Sequence, residues 1–148
     1  MRITLRLRLL FWKIIEPLFP TVRDIWMRLG FISHDYRQPY LYGRLKAEVT
    51  SYDLRQLLKQ AGFENAYLAW IDPDEVVNMR KLAGVEYQYH VRLFKDGEVR
   101  GRYEFAAETH PIKHLREIGM VTGEDYLTSL LTPAALLLPK PELALEQR

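Results

Sequence analysis

Between Val85 and Phe105 the chain alternates almost without interruption. Val85, Tyr87, Tyr89, Val91 and Leu93 take turns with Glu86, Gln88, His90 and Arg92, and Val99, Gly101, Tyr103 and Phe105 with Arg100, Arg102 and Glu104. A period of two marks half-buried strands, so an antiparallel hairpin is predicted. A tight Asp96–Gly97 turn would set Arg100 opposite Leu93 and Arg102 opposite Val91, putting arginines on the apolar face. A Lys95-Asp96-Gly97 turn with a bulge and a left-handed Gly97 instead pairs Leu93 with Val99, Val91 with Gly101, Tyr89 with Tyr103 and Tyr87 with Phe105. Register follows such face patterns, and the bulged turn is expected.

Upstream, Leu41, Gly43, Leu45 and Ala47 alternate with Tyr42, Arg44 and Lys46, which predicts a strand over Leu41–Ala47. Thr50 with Asp53 three residues on is a capping box. It opens a helix whose stripe is Leu54, Leu57, Leu58 and Ala61 and which Gly62 closes. Phe63–Ile71 reads as a second strand, completing a βαβ unit with a right-handed crossover. Asp72, Pro73 and Glu75 then look like the start of another helix, with Val76, Met79 and Ala83 inward and Gly84 at its end. After the hairpin, helices are expected over Thr109–Ile118 and Thr122–Leu131, followed by a tail with Pro133, Pro139 and Pro141.

The predicted fold is therefore α+β. It has a mixed sheet of about four strands in the order strand–helix–strand–helix–hairpin–helix, with helical additions at both ends. Three regions are expected: an N-terminal segment over 1–39, the α+β core over 40–131 and the tail over 132–148. The core is similar in architecture to ferredoxin-like α+β domains, a likeness that implies a fold and no particular function.

The N-terminal segment has its own pattern. Ile3, Leu7, Leu10, Phe11, Ile14 and Leu18 share one helical face, and Arg2, Arg6, Lys13 and Glu16 the opposite one. Three readings fit: a helix docked on its own domain, a helix lying in a membrane interface with Phe11 and Trp12 as wedges, or a strand over Arg2–Leu9, which alternates strictly. Charges break the run too often for a membrane span or a secretory signal. Thr21 with Asp24 opens a further helix with Val22, Ile25, Trp26 and Leu29 on one face, and Gly30 stops it. A Tyr-rich loop over 31–40 follows.

Composition narrows the chemistry. The chain of 148 residues has no cysteine, which removes disulfides, thiolate metal sites and cysteine nucleophiles. The net charge of +2 hides an asymmetry: residues 1–46 carry nine basic residues against three acidic, and the remainder twelve against sixteen. A basic front half hints at an anionic partner, nucleic acid or lipid.

The predicted register also builds the second face of the hairpin. Arg92 stands opposite Arg100, His90 opposite Arg102 and Gln88 opposite Glu104. Like charges directly opposite cost roughly 0.2–1 kcal/mol, a cost that an acid or a bound anion between them relieves. With Tyr42, Arg44 and Lys46 on the same face, the surface is basic with aromatic and His members. Such faces bind phosphate groups or single-stranded nucleic acid. The leading expectation is thus a non-enzymatic module binding an anion or single-stranded nucleic acid through His90, Arg92, Arg100, Arg102, Tyr42, Arg44 and Lys46. The first alternative is attachment to a membrane surface or protein partner through the N-terminal helix, with Arg2, Arg6, Phe11, Trp12 and Lys13 in contact. The second is a small acid–base enzyme using His90 and Glu104.

No catalytic motif accompanies these residues. The nucleophile elbow, the phosphate-binding loop and the dinucleotide glycine pattern are missing. His110 and His114 are four apart, but Pro111 suits the first helical position and leaves His110 outside the helix. Asp72, Asp74 and Glu75 are read as a helix N-terminus. No metal or cofactor is implied, and a cytoplasmic location is expected.

Overall fold

The computed structural model describes residues 6–7, 10, 14, 16–30, 40–66, 72, 74–106, 109–110, 113–114 and 125–138. Within them lie three short helices, α1 (Phe19–Arg28), α2 (Ser51–Gln60) and α3 (Asp125–Leu131). Six strands accompany them: β1 (Tyr40–Leu45), β2 (Glu64–Asn65), β3 (Glu75–Ala83), β4 (Tyr87–Phe94), β5 (Glu98–Phe105) and β6 (Ala135–Leu137). The strands form one sheet in the order β2-β3-β4-β5-β1-β6, with every neighbouring pair antiparallel.

This corrects the expected four-stranded, mixed, ferredoxin-like sheet. The main reason is β3. Residues Glu75–Ala83, predicted as a capped helix, form the longest strand and pair along their length with β4. The nine residues satisfy both periods. As a helix they would bury Val76, Met79 and Ala83; as a strand they bury Val77 and Met79 and leave Val76 exposed. The hairpin settles the choice, because β4 would otherwise present an open edge of unpaired backbone groups. The second difference is the crossover. β1 and β2 are joined by α2, but β5, β4 and β3 lie between them, so they make no adjacent βαβ pair. Of the strand expected over Phe63–Ile71, only Glu64–Asn65 is strand among the described residues, and 67–71 lie outside them.

The hairpin has the expected register. Leu93 faces Val99, Val91 Gly101, Tyr89 Tyr103 and Tyr87 Phe105. Gly97 takes a φ of 85° and donates its N–H to the Phe94 carbonyl at 2.9 Å. That left-handed backbone suits glycine.

The capping box of α2 is also present. The Asp53 N–H donates to Thr50 Oγ1, and the Thr50 N–H donates back to Asp53 Oδ2. From this start α2 buries Leu54 and Leu58 against the sheet, with Leu57 and Ala61 at the margin. α3 adds Leu127 and Leu131. Together they cover the face formed by Val77, Met79, Val91, Leu93 and Val99. Each such leucine stabilises the fold by about 2 kcal/mol.

Towards one end of this face the aromatic rings stack on one another. Tyr126, Tyr89, Tyr103, Tyr87 and Phe105 follow at centroid spacings of 4.6, 4.9, 5.0 and 4.7 Å. Lys81 lies over the Tyr126 ring and Lys113 over that of Phe105.

The N-terminal helix is a further correction. α1 starts at Phe19, two residues before the predicted Thr21 cap. Its face of Val22, Ile25, Trp26 and Leu29 is exposed along its length. Of the expected Thr122–Leu131 helix, Asp125–Leu131 is observed and 122–124 lie outside the described residues. Of the expected Thr109–Ile118 helix, Lys113 and His114 are helical, while 111–112 and 115–118 lie outside. The loop expected over 31–40 and the tail from 139 onward also fall there, apart from Tyr40, which opens β1.

Candidate functional site

Opposite the apolar core, the sheet carries a polar face from β3, β4 and β5. His90, Arg92, Arg102 and Glu104 are buried, at 6, 4, 8 and 2% exposure, and so are Arg80 and Gln88. Buried charges need partners, and each arginine has a carboxylate. Arg92 is held by both Asp72 and Glu75. Arg102 Nε lies 2.5 Å from Glu104 Oε2, Arg100 Nε 2.9 Å from Glu98 Oε2 and Arg80 Nη2 3.2 Å from Glu64 Oε1. Among the described residues, four arginines thus meet five acids.

The Arg92–Arg100 opposition expected from register is real. Acids of this chain relieve it. Asp72 comes from the connection leading into β3 and Glu75 is the strand's first residue; the Asp72 N–H donates to Glu75 Oε2 at 3.2 Å and the Glu75 N–H to the Asp72 carbonyl at 3.0 Å. Sequence reasoning assigned both to a helix cap and missed their role. The signal was available: read as a strand, Glu75–Ala83 places Asn78 and Arg80 beside His90 and Arg92.

A line of hydrogen bonds crosses the face. Arg80 Nη1 donates to Gln88 Oε1 at 3.0 Å, and Gln88 Nε2 donates to Glu104 Oε1 at 2.7 Å. His90 Nε2 lies 2.7 Å from Asn78 Oδ1, and His90 Nδ1 lies 3.5 Å from Glu104 Oε1. Burial, opposed by Glu104 and reinforced by Arg102 and Arg92, lowers the His90 pKa to about 4. His90 is therefore neutral at pH 7. Burial alone would raise the Glu104 carboxyl; the fields of His114 and Arg102 and the contact with His90 outweigh it and hold Glu104 ionised. Glu75 moves the other way, its pKa raised by burial against the pull of Arg92.

The remaining predicted contacts do not join this cluster. Tyr42 sits in the apolar core, because β1 is irregular between Leu41 and Gly43 and the extra residue turns its ring to the other side. Arg44 is exposed and its Nη1 donates to the Asp96 carbonyl at 3.0 Å. Lys46 Nζ donates to the carbonyls of Thr132 and Pro133 at 2.9 and 3.0 Å. His110 and His114 reach different carboxylates, Glu86 at 3.7 Å and Glu104 at 3.8 Å. Among the described residues no group of three His, Asp or Glu side chains could hold a metal ion.

The second candidate is the N-terminal segment. Arg6, Leu7, Leu10 and Ile14 have helical backbone, and a single tight turn over Glu16–Leu18 leads into α1. Leu7, Leu10, Ile14, Leu18, Val22, Ile25, Trp26 and Leu29 are all exposed, several by about three-fifths of their surface. On either side of the Glu16–Leu18 turn their spacing is mostly three or four residues, that of a helical face. Arg6 is exposed as well, while Arg2, Phe11, Trp12 and Lys13 lie outside the described residues. Among the described residues no helix is long and apolar enough to cross a membrane.

Comparison with protein-family models, curated proteins and solved structures found no match.

Proposed function

We propose that the protein is a peripheral membrane-binding module that docks through its N-terminal amphipathic segment onto an anionic lipid surface. The observation that carries this reading is the exposed apolar row from Leu7 to Leu29. An apolar patch of this kind on a soluble surface marks an interaction site. Several features favour lipid over a protein groove. The row is interrupted by Pro17 and Pro20, which a fluid interface tolerates more readily than a rigid groove does. The first 46 residues carry nine basic side chains against three acidic, which suits anionic headgroups. The cytoplasmic leaflet, with its negative surface potential, is the matching surface. The sheet face is less suited to phosphate, since its arginines already have carboxylate partners.

The test is flotation of the full chain with phosphatidylcholine vesicles, with and without phosphatidylserine. The protein should float with the anionic vesicles and weakly with the neutral ones, and binding should fall as salt rises. The triple variant Ile25→Ser, Trp26→Ser, Leu29→Ser should stay at the bottom. Equal flotation of that variant, or none by the native chain, overturns the reading.

A further inference from the structure

The two edges of the sheet are unlike. β2 is two residues long and carries Glu64, and Arg55 donates to Asn65 Oδ1 at 3.3 Å and to the Val76 carbonyl of β3 at 2.9 Å. Shortness and charge of this kind blunt an edge. The other edge, β6, has no charge. From Pro133 to Pro139 the chain reads Pro-Ala-Ala-Leu-Leu-Leu-Pro.

The pairing of β6 with β1 fixes which of its backbone groups point away. The Lys46 N–H donates to the Ala134 carbonyl at 3.0 Å and the Leu138 N–H to the Tyr42 carbonyl at 2.7 Å. Leu136 pairs with Arg44 midway between them. Hydrogen-bonding direction alternates along an antiparallel strand. Ala134, Leu136 and Leu138 therefore turn their backbone groups to β1, and Ala135 and Leu137 turn theirs outward. Among the described residues no strand pairs with that outer side. Side chains alternate as well. Ala135 is buried and Leu137 packs against the core, while Leu136 and Leu138 are 64 and 52% exposed on the other face.

We propose that β6 pairs antiparallel with β6 of a second copy of this chain, about a two-fold axis through Leu136, and joins the two sheets into one. In that register Ala135 faces Leu137 of the second copy, and Leu137 faces its Ala135. Both residues point outward, so the two pairs exchange four N–H···O bonds and use every outward group between the prolines. Pro133 and Pro139 stand equally far from Leu136 in sequence, so each falls opposite the other, and the ladder ends there for want of an N–H. On the exposed face Leu136 meets its own copy in the close, non-hydrogen-bonded kind of pair, and Leu138 lies diagonal to it. The most exposed side chain of β6 is thus the one on the axis. Arg44, and Lys46 just past β1, are engaged by carbonyls of their own chain. The two copies of Arg44 would stand three strand spacings apart, about 14 Å, beyond the ~8 Å Debye length of physiological salt. A three-residue strand makes a contact well below the about 1,200–2,000 Å² of stable complexes, so the dimer is weak and reversible.

Sedimentation equilibrium of the full chain from about 10 μM to about 1 mM should show monomer passing to dimer. Leu136→Lys sets like charges on the axis at an exposed position, so the fold should persist and the dimer should weaken by at least about tenfold. The triple variant Ile25→Ser, Trp26→Ser, Leu29→Ser should dimerise as the native chain does, so this contact and the lipid-binding reading fail separately. Cysteine reads the register. The chain has none, so a single introduced thiol can join only its own copy. Leu136→Cys should form an interchain disulfide under mild oxidation, because its Cα atoms would stand about 4.5 Å apart. Leu138→Cys, of similar exposure, should cross-link at least about tenfold more slowly, since its copies would be about 14 Å apart. The contact is overturned by a chain that is monomeric throughout, by a dimer that Leu136→Lys leaves intact or the triple variant abolishes, or by equal rates for the two cysteine variants.

Discussion

Gly43 on β1 lies hard against Leu136 on β6: a Cβ at Gly43 would stand 2.0 Å from the Leu136 carbonyl oxygen. The contact is backbone on backbone, so no side-chain rotation relieves it. β6 is three residues long and forms one edge of the sheet. Gly43→Ala should therefore loosen β6 and destabilise the protein by about 2–3 kcal/mol. Urea denaturation measures the loss. Exchange of the Leu138 amide, which donates to the Tyr42 carbonyl at 2.7 Å, locates it.

Arg92 is the anchor of the polar face. Arg92→Met should cost about 3–5 kcal/mol, because Asp72 and Glu75 would be left buried without a cation. Adding Asp72→Asn and Glu75→Gln to that variant should recover part of the loss. A double-mutant cycle that shows strict additivity would contradict the pairing.

The exposure of the α1 face gives a further prediction. Were Ile25 and Leu29 in the core, Ile25→Ser and Leu29→Ser would each cost more than about 2 kcal/mol. Because both are exposed, each should change stability by less than about 0.5 kcal/mol. Thermal or urea melts distinguish the two outcomes.

Stability should decline in acid. The folded His90 pKa, about 4, lies below its ordinary value. The unfolded chain therefore binds the extra proton, and the stability present above pH ~6.5 is lost as the pH falls towards that folded value. Glu104, also lowered, adds to the loss below the ordinary carboxylate range. Glu75, raised by burial, opposes it just above that range. The expected slope between about pH 6.5 and about pH 5 is close to 1 kcal/mol per unit, read as the shift of the urea midpoint. His90→Gln should flatten it.

The features legible in the sequence are those whose partners are near in the chain. The β4–β5 register follows from the alternation of Tyr87–Leu93 and Val99–Phe105 and from one glycine turn between them, which together fix every pair. The start of α2 follows from Thr50 and Asp53, which satisfy each other's backbone within a single turn. The candidate residues His90, Arg92, Arg100 and Arg102 were placed on one face for the same reason.

What the sequence by itself determined is local: periods, caps and one hairpin register. Tertiary structure alone decided three things. It made Glu75–Ala83 a strand, because that segment suits both periods and only the open edge of β4 favours one. It turned Tyr42 into the core through a bulge that moves one ring to the opposite face. It closed the polar face, because the carboxylates of Asp72 and Glu75 arrive at Arg92 from the start of β3 and the chain just before it, where the hairpin alone leaves Arg92 facing Arg100. In each case the deciding energy comes from a contact distant in sequence, and no window of residues contains it.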